Sequence, residues 1–181
     1  MRYEIRLAGK GGQGLVLAGL ILGEAALRSG RNVAMSQSYS PQVRGGISLS
    51  EVVIDEGEFI YPKATSPDLL LVMSQEALEE YASQLCPGGT VIIDSTEVEW
   101  EPQVEGRVIR VPITHLARER LRAVVANMVA LGVLGGATGV VSKEKLIEAL
   151  HAHAPKGTER LNEEALALGW EEGERAKGYI L

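Results

Sequence analysis

The feature that most constrains this chain is a glycine-rich stretch, Ala8-Gly9-Lys10-Gly11-Gly12-Gln13-Gly14. It lies between a strand-like segment, Tyr3–Leu7, and a helix-like one, Leu15–Arg28. A strand, a glycine turn and a helix in that order aim backbone N–H groups and a helix N-terminus at an anion. Gly9, Gly11 and Gly14 match the G-x-G-x-x-G spacing. Glycines at those positions permit a tight turn, close approach of a phosphate to the backbone, and close helix–strand packing. A tight turn that holds no ligand shows the same spacing. A dinucleotide site also needs an acid at the end of the second strand, to hold the ribose. Here the second strand, Asn32–Tyr39, ends in Ser36-Gln37-Ser38-Tyr39, and the first carboxylate after Glu24 is Glu51. The turn suits a phosphate but not NAD.

A chain of 181 residues that is 45% hydrophobic and holds 21 glycines reads as one α/β domain over residues 1–181, long enough to bury a full core. The formal charge is −6, the basic residues are dispersed and aromatics make up only 4%, so nucleic acid is not the expected partner. The single cysteine, Cys86, excludes an internal disulfide framework and any four-cysteine zinc or iron–sulfur site. No basic, apolar and small-residue leader opens the chain, so a cytoplasmic location is expected. The uncharged run Ala123–Val141 is long enough to span a bilayer, yet it contains Asn127, Gly132, Gly135, Gly136 and Gly139. We read it as a buried core or interface helix ending near Gly135, with no membrane association.

In chain order, the first helix is apolar almost all round through Leu15, Val16, Leu17, Leu20, Ile21 and Leu22, which implies burial on more than one side. Gly19 and Gly23 share a face that admits a close neighbour. The loop Ser40–Gly46 follows the second strand and places Arg44 near the ligand edge of the sheet. Arg44 is there either a phosphate clamp or a solvated loop arginine. Ile47–Ile54 and Glu58–Tyr61 read as a hairpin about Asp55-Glu56-Gly57, which makes the sheet mixed. A second βαβ unit follows in strand Leu69–Met73, helix Gln75–Leu85 and strand Thr90–Asp94. Asp94-Ser95 ends that strand at the same carboxyl edge, either as polar ligands or, the expected role, as a helix cap or turn. Val108–Pro112 leads into one long helix over Thr114–Leu134. Arg107, Arg110, Arg118, Arg120 and Arg122 form the one local basic concentration, either a solvated face or a dock for an acidic partner. Ser142 caps a helix reaching His153, and a last helix buries Leu161, Ala165, Leu168 and Gly169. His151 and His153 cannot share a helical face, and His115 has no companion at metal spacing, so no metal site is expected. The expected architecture is three-layer α/β/α, with a mixed, mostly parallel sheet and a Rossmann-like first βαβ unit.

No nucleophile elbow, Walker lysine–serine pair or acid/base dyad can be nominated, so no catalytic residue is assigned. The combination of Gly9-Lys10-Gly11-Gly12-Gln13-Gly14 with Gln42-Val43-Arg44-Gly45-Gly46 resembles the gamma subunit of 2-oxoacid:ferredoxin oxidoreductases. Asn127-Met128-Val129-Ala130-Leu131-Gly132 is similar to that family's late helix, and Asn162–Gly169 to its C-terminal one. The resemblance implies an oligomeric enzyme with alpha and beta subunits, with or without a ferredoxin-like delta subunit. Thiamine diphosphate and iron–sulfur clusters would sit on those partners. The reaction it implies is oxidative decarboxylation of a 2-oxoacid with coenzyme A, giving acyl-CoA, carbon dioxide and reduced ferredoxin. A separate small gamma chain is most similar to the 2-oxoglutarate-type enzymes. On this reading Gly9, Gly11, Gly12, Gln13, Gly14 and Arg44 help to bind or gate coenzyme A. A free-standing nucleotide-binding or regulatory module, and a purely structural subunit, remain open alternatives.

The apolar first helix and glycine-rich late helix imply more apolar surface than one small domain buries, so the isolated chain is expected to self-associate. Purified alone, it should be colourless and inactive with any 2-oxoacid. A visible iron–sulfur or flavin absorption from the pure chain would overturn that expectation.

Overall fold

A computed structural model describes residues 1–40, 46–57, 63–100 and 103–178. Arg44 and the expected strand Glu58–Tyr61 lie outside the described residues. Strand β1 (Arg2–Lys10) sits inside a six-stranded sheet of order β2-β3-β1-β4-β5-β6. The other strands are β2 (Asn32–Ser40), β3 (Ile47–Asp55), β4 (Leu69–Val72), β5 (Thr90–Asp94) and β6 (Arg107–Val111). β3 pairs antiparallel with both β2 and β1, whereas β1, β4, β5 and β6 pair in parallel. The mixed character expected from a hairpin therefore comes from β3, which inserts between β2 and β1. β1 and β2 keep the same direction but are separated by a strand, or about 10 Å.

Side-chain alternation along the strands divides the core into two faces. Ile5, Leu7, Leu71 and Ile92 point toward α1 (Leu15–Arg28), α4 (Ala126–Thr138), α5 (Lys143–His153) and α6 (Glu159–Gly178). Ala8, Leu70, Val72, Val91 and Ile93 point toward α2 (Gln75–Tyr81) and the segment around Val98. The three layers are present and unequal, because α2 and its short 3-10 continuation stand opposite the larger helical layer.

Apolar α1 finds its several neighbours within the chain, packing against β2 and β3 on one side and α5 on another. A Cβ on Gly19 would strike Ser50 Oγ, and one on Gly23 would lie 2.6 Å from Met35 Sδ, so both glycines set the helix close to the sheet. Much of the surface from which self-association is expected is thus covered internally. Val16 and Leu27 are the large apolar side chains of α1 left exposed.

The expected long helix over Thr114–Leu134 is two helices. α3 (Ile113–Arg120) ends where Leu121 turns to φ −138° and ψ −107°. A 3-10 turn over Ala123–Val125 follows, and α4 starts at Ala126. No glycine or proline marks the break; packing of α4 overrides the local helical preference. Nor does α4 stop near Gly135: it runs to Thr138 and is ended by Gly139 at φ +66°. Its glycines serve contact with α6. A Cβ on Gly132 would strike Leu166 O, one on Gly136 would strike Trp170 O, and one on Gly169 would strike Val129 O. Among the described residues no helix is long and apolar enough to cross a membrane.

This close packing yields a sign test. In an open helix Gly→Ala stabilises by about 1 kcal/mol. Gly169→Ala should instead destabilise the protein by about 1–3 kcal/mol, because the obstructing atoms are backbone. Denaturant unfolding with a midpoint at or above wild type would contradict the packing account.

Candidate functional site

β1 extends three residues beyond the strand expected from sequence, because β3 pairs with it as far as Gly9↔Ser48 and Lys10↔Ile47. Gly9 therefore belongs to the strand, and the turn proper is Gly11–Gly14. Gly12 and Gly14 adopt φ +86° and +75°, where an L side chain is strained. Each glycine has a distinct neighbour. A Cβ on Gly9 would strike Gln13 Oε1 and lie 2.9 Å from Leu15 Cδ1, whereas one on Gly11 would press Tyr39 at 3.1 Å. A Cβ on Gly14 would strike Asn127 Nδ2, which donates to Gly14 O at 3.1 Å. A Cβ on Gly12 would meet nothing within 4 Å among the described residues. Gly12 is the open member of the set.

Gln13 holds the turn in place. Its Oε1 accepts from Lys10 N at 2.7 Å, and its Nε2 donates to Met73 O at 2.8 Å. Gly11 N donates to Gly46 O at 3.2 Å on the opposite side. β1 and β4 are adjacent and parallel, yet α1 and α2 leave them toward opposite faces, so Gln13 bridges the topological switch point.

At this carboxyl edge lies a cleft of about 250 Å³ lined by Gly12, Gln13, Met73, Glu97, Thr114, Arg118, Ala123, Val124 and Ala126. Three helices begin on its wall: α1 just after Gln13, α3 beside Thr114, and α4 at Ala126. None of the three has a side-chain N-cap on its own capping residue. The start of α1 offers the positive end of its dipole and first-turn N–H groups with no side-chain cap. The first amides of α3 and α4 are instead taken up by Asp94, Thr96, Ala123 O and Asn127, so those two ends contribute their dipoles alone. Asp94, fully buried below, accepts from Thr96 N at 3.1 Å and from both Thr114 N and Thr114 Oγ1. That is the turn-and-cap role expected of Asp94, and it pins the start of α3.

The five arginines do not form one patch. Arg107 donates to Ala176 O at 3.0 Å and Arg110 to Val98 O at 3.4 Å. Arg118 faces the cleft with Glu97 at 3.6 Å, and Arg120 and Arg122 are exposed. The break after α3 is what brings Arg118 and Val124 to the cleft, a placement that reading an unbroken helix misses. Tyr39 against the turn and Asn127 behind it were likewise not assigned roles there from sequence.

His151 Nε2 lies 2.8 Å from Glu163 Oε2, whereas His153 lies 4.0 Å from Glu24, so the two histidines turn to different partners. Among the described residues no group of three or more His, Cys, Asp or Glu could hold a metal ion. Burial first, and then the Asp68 carboxylate, push the Cys86 thiol pKa up, away from a reactive thiolate.

Residues 4–172 match the family model described as pyruvate ferredoxin/flavodoxin oxidoreductase. The chain is 43% identical over 175 residues to 2-oxoglutarate synthase subunit KorC of Methanocaldococcus jannaschii, covering 94% of each. It is 48% identical to the KorC subunit of Methanothermobacter marburgensis, covering 94% of this chain and 96% of that one. The gamma subunit of a keto/oxoacid ferredoxin oxidoreductase from Geobacter sulfurreducens superposes with a TM-score of 0.86 at 39% identity, covering 96% of this chain and 99% of that one. The 2-oxoglutarate:ferredoxin oxidoreductase of Magnetococcus marinus, whose structure holds 2-oxoglutarate, coenzyme A and succinyl-CoA, shares the fold at TM-score 0.83 and 23% identity. The match covers 99% of this chain and 32% of that longer one. The chain belongs to the pyruvate ferredoxin/flavodoxin oxidoreductase family, as a gamma-type subunit of a 2-oxoacid:ferredoxin oxidoreductase complex.

Proposed function

We propose that this subunit serves a 2-oxoglutarate-type enzyme and that its glycine-turn cleft helps to hold or gate coenzyme A. The observation that carries the reading is the convergence of three helix starts on a cleft lined by Gly12, where a Cβ would meet nothing within 4 Å among the described residues. Such a site suits a phosphate group. The 2-oxoglutarate branch is supported by the similarity to two KorC subunits, and coenzyme A by its presence in the Magnetococcus marinus enzyme. Within the reading, Gly11, Gly12 and Gly14 shape the turn, Gln13 fixes it, and Arg44 assists with its charge. The chain acts as one domain over residues 1–181, in the cytoplasm, assembled with alpha and beta subunits that carry thiamine diphosphate and iron–sulfur clusters.

A purely structural role has its own support, because Gly9, Gln13 and Gly14 are all occupied by contacts within the chain. Gly12 separates the two readings, since a Cβ there would meet no contact among the described residues.

In the reconstituted complex, Gly12→Val should obstruct the cleft and raise the apparent KM for coenzyme A. Arg44→Ala should remove a charged hydrogen bond worth about 1.5–3 kcal/mol, an affinity loss of about ten- to more than a hundredfold. Thiamine-dependent carbon dioxide release without coenzyme A should survive both changes. Equal damage to both half-reactions would indicate lost assembly, and unchanged coenzyme A kinetics would remove the cleft's role.

A further inference from the structure

Two charged side chains line the cleft, Arg118 and Glu97, and their arrangement is unbalanced. Arg118 lies on α3 with its side chain 56% exposed, and Glu97 follows β5 at 27%. They approach to 3.6 Å without a hydrogen bond among those found in the described residues. A guanidinium fork reaches its full strength only on a planar or tetrahedral anion that it grips through two N–H groups. The pairing with Glu97 therefore neutralises Arg118 without satisfying it.

The cleft that Arg118 lines is also lined by Gly12 and, at the starts of α3 and α4, by Thr114 and Ala126. Its 250 Å³ is smaller than the roughly 300–1,000 Å³ of pockets that enclose a drug-sized ligand. A whole coenzyme cannot be enclosed here, but a phosphate or pyrophosphate group can. An anion entering this space meets the uncapped start of α1, the cation of Arg118 and the opposing carboxylate of Glu97.

We propose that Arg118 is the cleft's phosphate-gripping residue and that Glu97 is its competitor, releasing the guanidinium when a phosphate group enters. This rests on the coenzyme A reading and adds to it the part of the ligand recognised, the residue that recognises it, and a charge that sets its affinity. Loss of Arg118 weakens binding; loss of the Glu97 charge strengthens it, because the guanidinium is freed and a like charge is removed. A residue that merely supports the fold gives no such pair of opposite signs.

The test is calorimetric titration of the assembled complex with coenzyme A, and separately with inorganic pyrophosphate, each complex first checked for size. Arg118→Ala should weaken coenzyme A by about tenfold or more, as expected for losing a hydrogen-bonded charge. Glu97→Gln should tighten both probes several-fold, and that gain should shrink in the Arg118→Ala background to the part that comes from removing a like charge, as coupled residues require. Unchanged affinity in Arg118→Ala, with Gly12→Val still weakening coenzyme A, would overturn the role of Arg118 and leave the coenzyme A reading standing. Unchanged affinity in both variants would overturn the two together. Glu97→Gln that fails to tighten binding would overturn the competition even if Arg118→Ala disrupts assembly.

Discussion

The geometry of this subunit's working edge depends on one side-chain amide. Gln13 accepts from the last amide of β1 with one end and donates to the carbonyl just after β4 with the other. Without that bridge, a turn of glycines would have many conformations, since glycine loses more freedom on folding than any other residue. With it, the turn is tied across the point where α1 and α2 diverge to opposite faces of the sheet. Asn127 then joins the start of α4 to Gly14 O, so two helix starts are positioned by side-chain amides acting on backbone carbonyls. The open space at Gly12 is what remains once these contacts are made.

The insertion of β3 explains a feature of the sequence that is otherwise only negative. In a dinucleotide-binding unit the second strand lies beside the first and offers an acid to the ribose. Here β3 occupies that place and β2 stands one strand further out, so an acid at its end would be too remote for the role. β3 instead supplies Glu51, whose carboxylate is fixed by Arg6 at 2.7 Å and Ser36 at 2.9 Å. The first carboxylate after α1 is thus structural. The fold keeps the strand, glycine turn and helix arrangement of nucleotide-binding proteins without their ribose contact.

Much of this was legible in the residues, for identifiable reasons. Leu15–Arg28, Thr90–Asp94 and the Ser142-capped helix to His153 are bounded by strong local signals: a glycine turn, a continuous β-branched run, and a serine cap with a following proline. What was not legible depends on tertiary contact. The chain from Thr114 to Leu131 holds no glycine or proline, so its break at Leu121 leaves no local mark, and with it the approach of Arg118 to the cleft was hidden. The placement of β3 was hidden because strand order in a mixed sheet is set by side chains meeting from distant segments. The glycines of α4 were visible, but their meaning required α6, whose backbone they admit.

The central claim is that the backbone of the glycine turn meets coenzyme A in the assembled enzyme. Hydrogen–deuterium exchange on the intact complex, with and without coenzyme A, tests it directly. The account predicts slowed exchange in peptides covering Gly11–Leu17, whose early helical N–H groups have no intrahelical partner, and in those covering Thr114–Arg118. Unchanged exchange in both segments, with protection appearing only elsewhere in the complex, would contradict it.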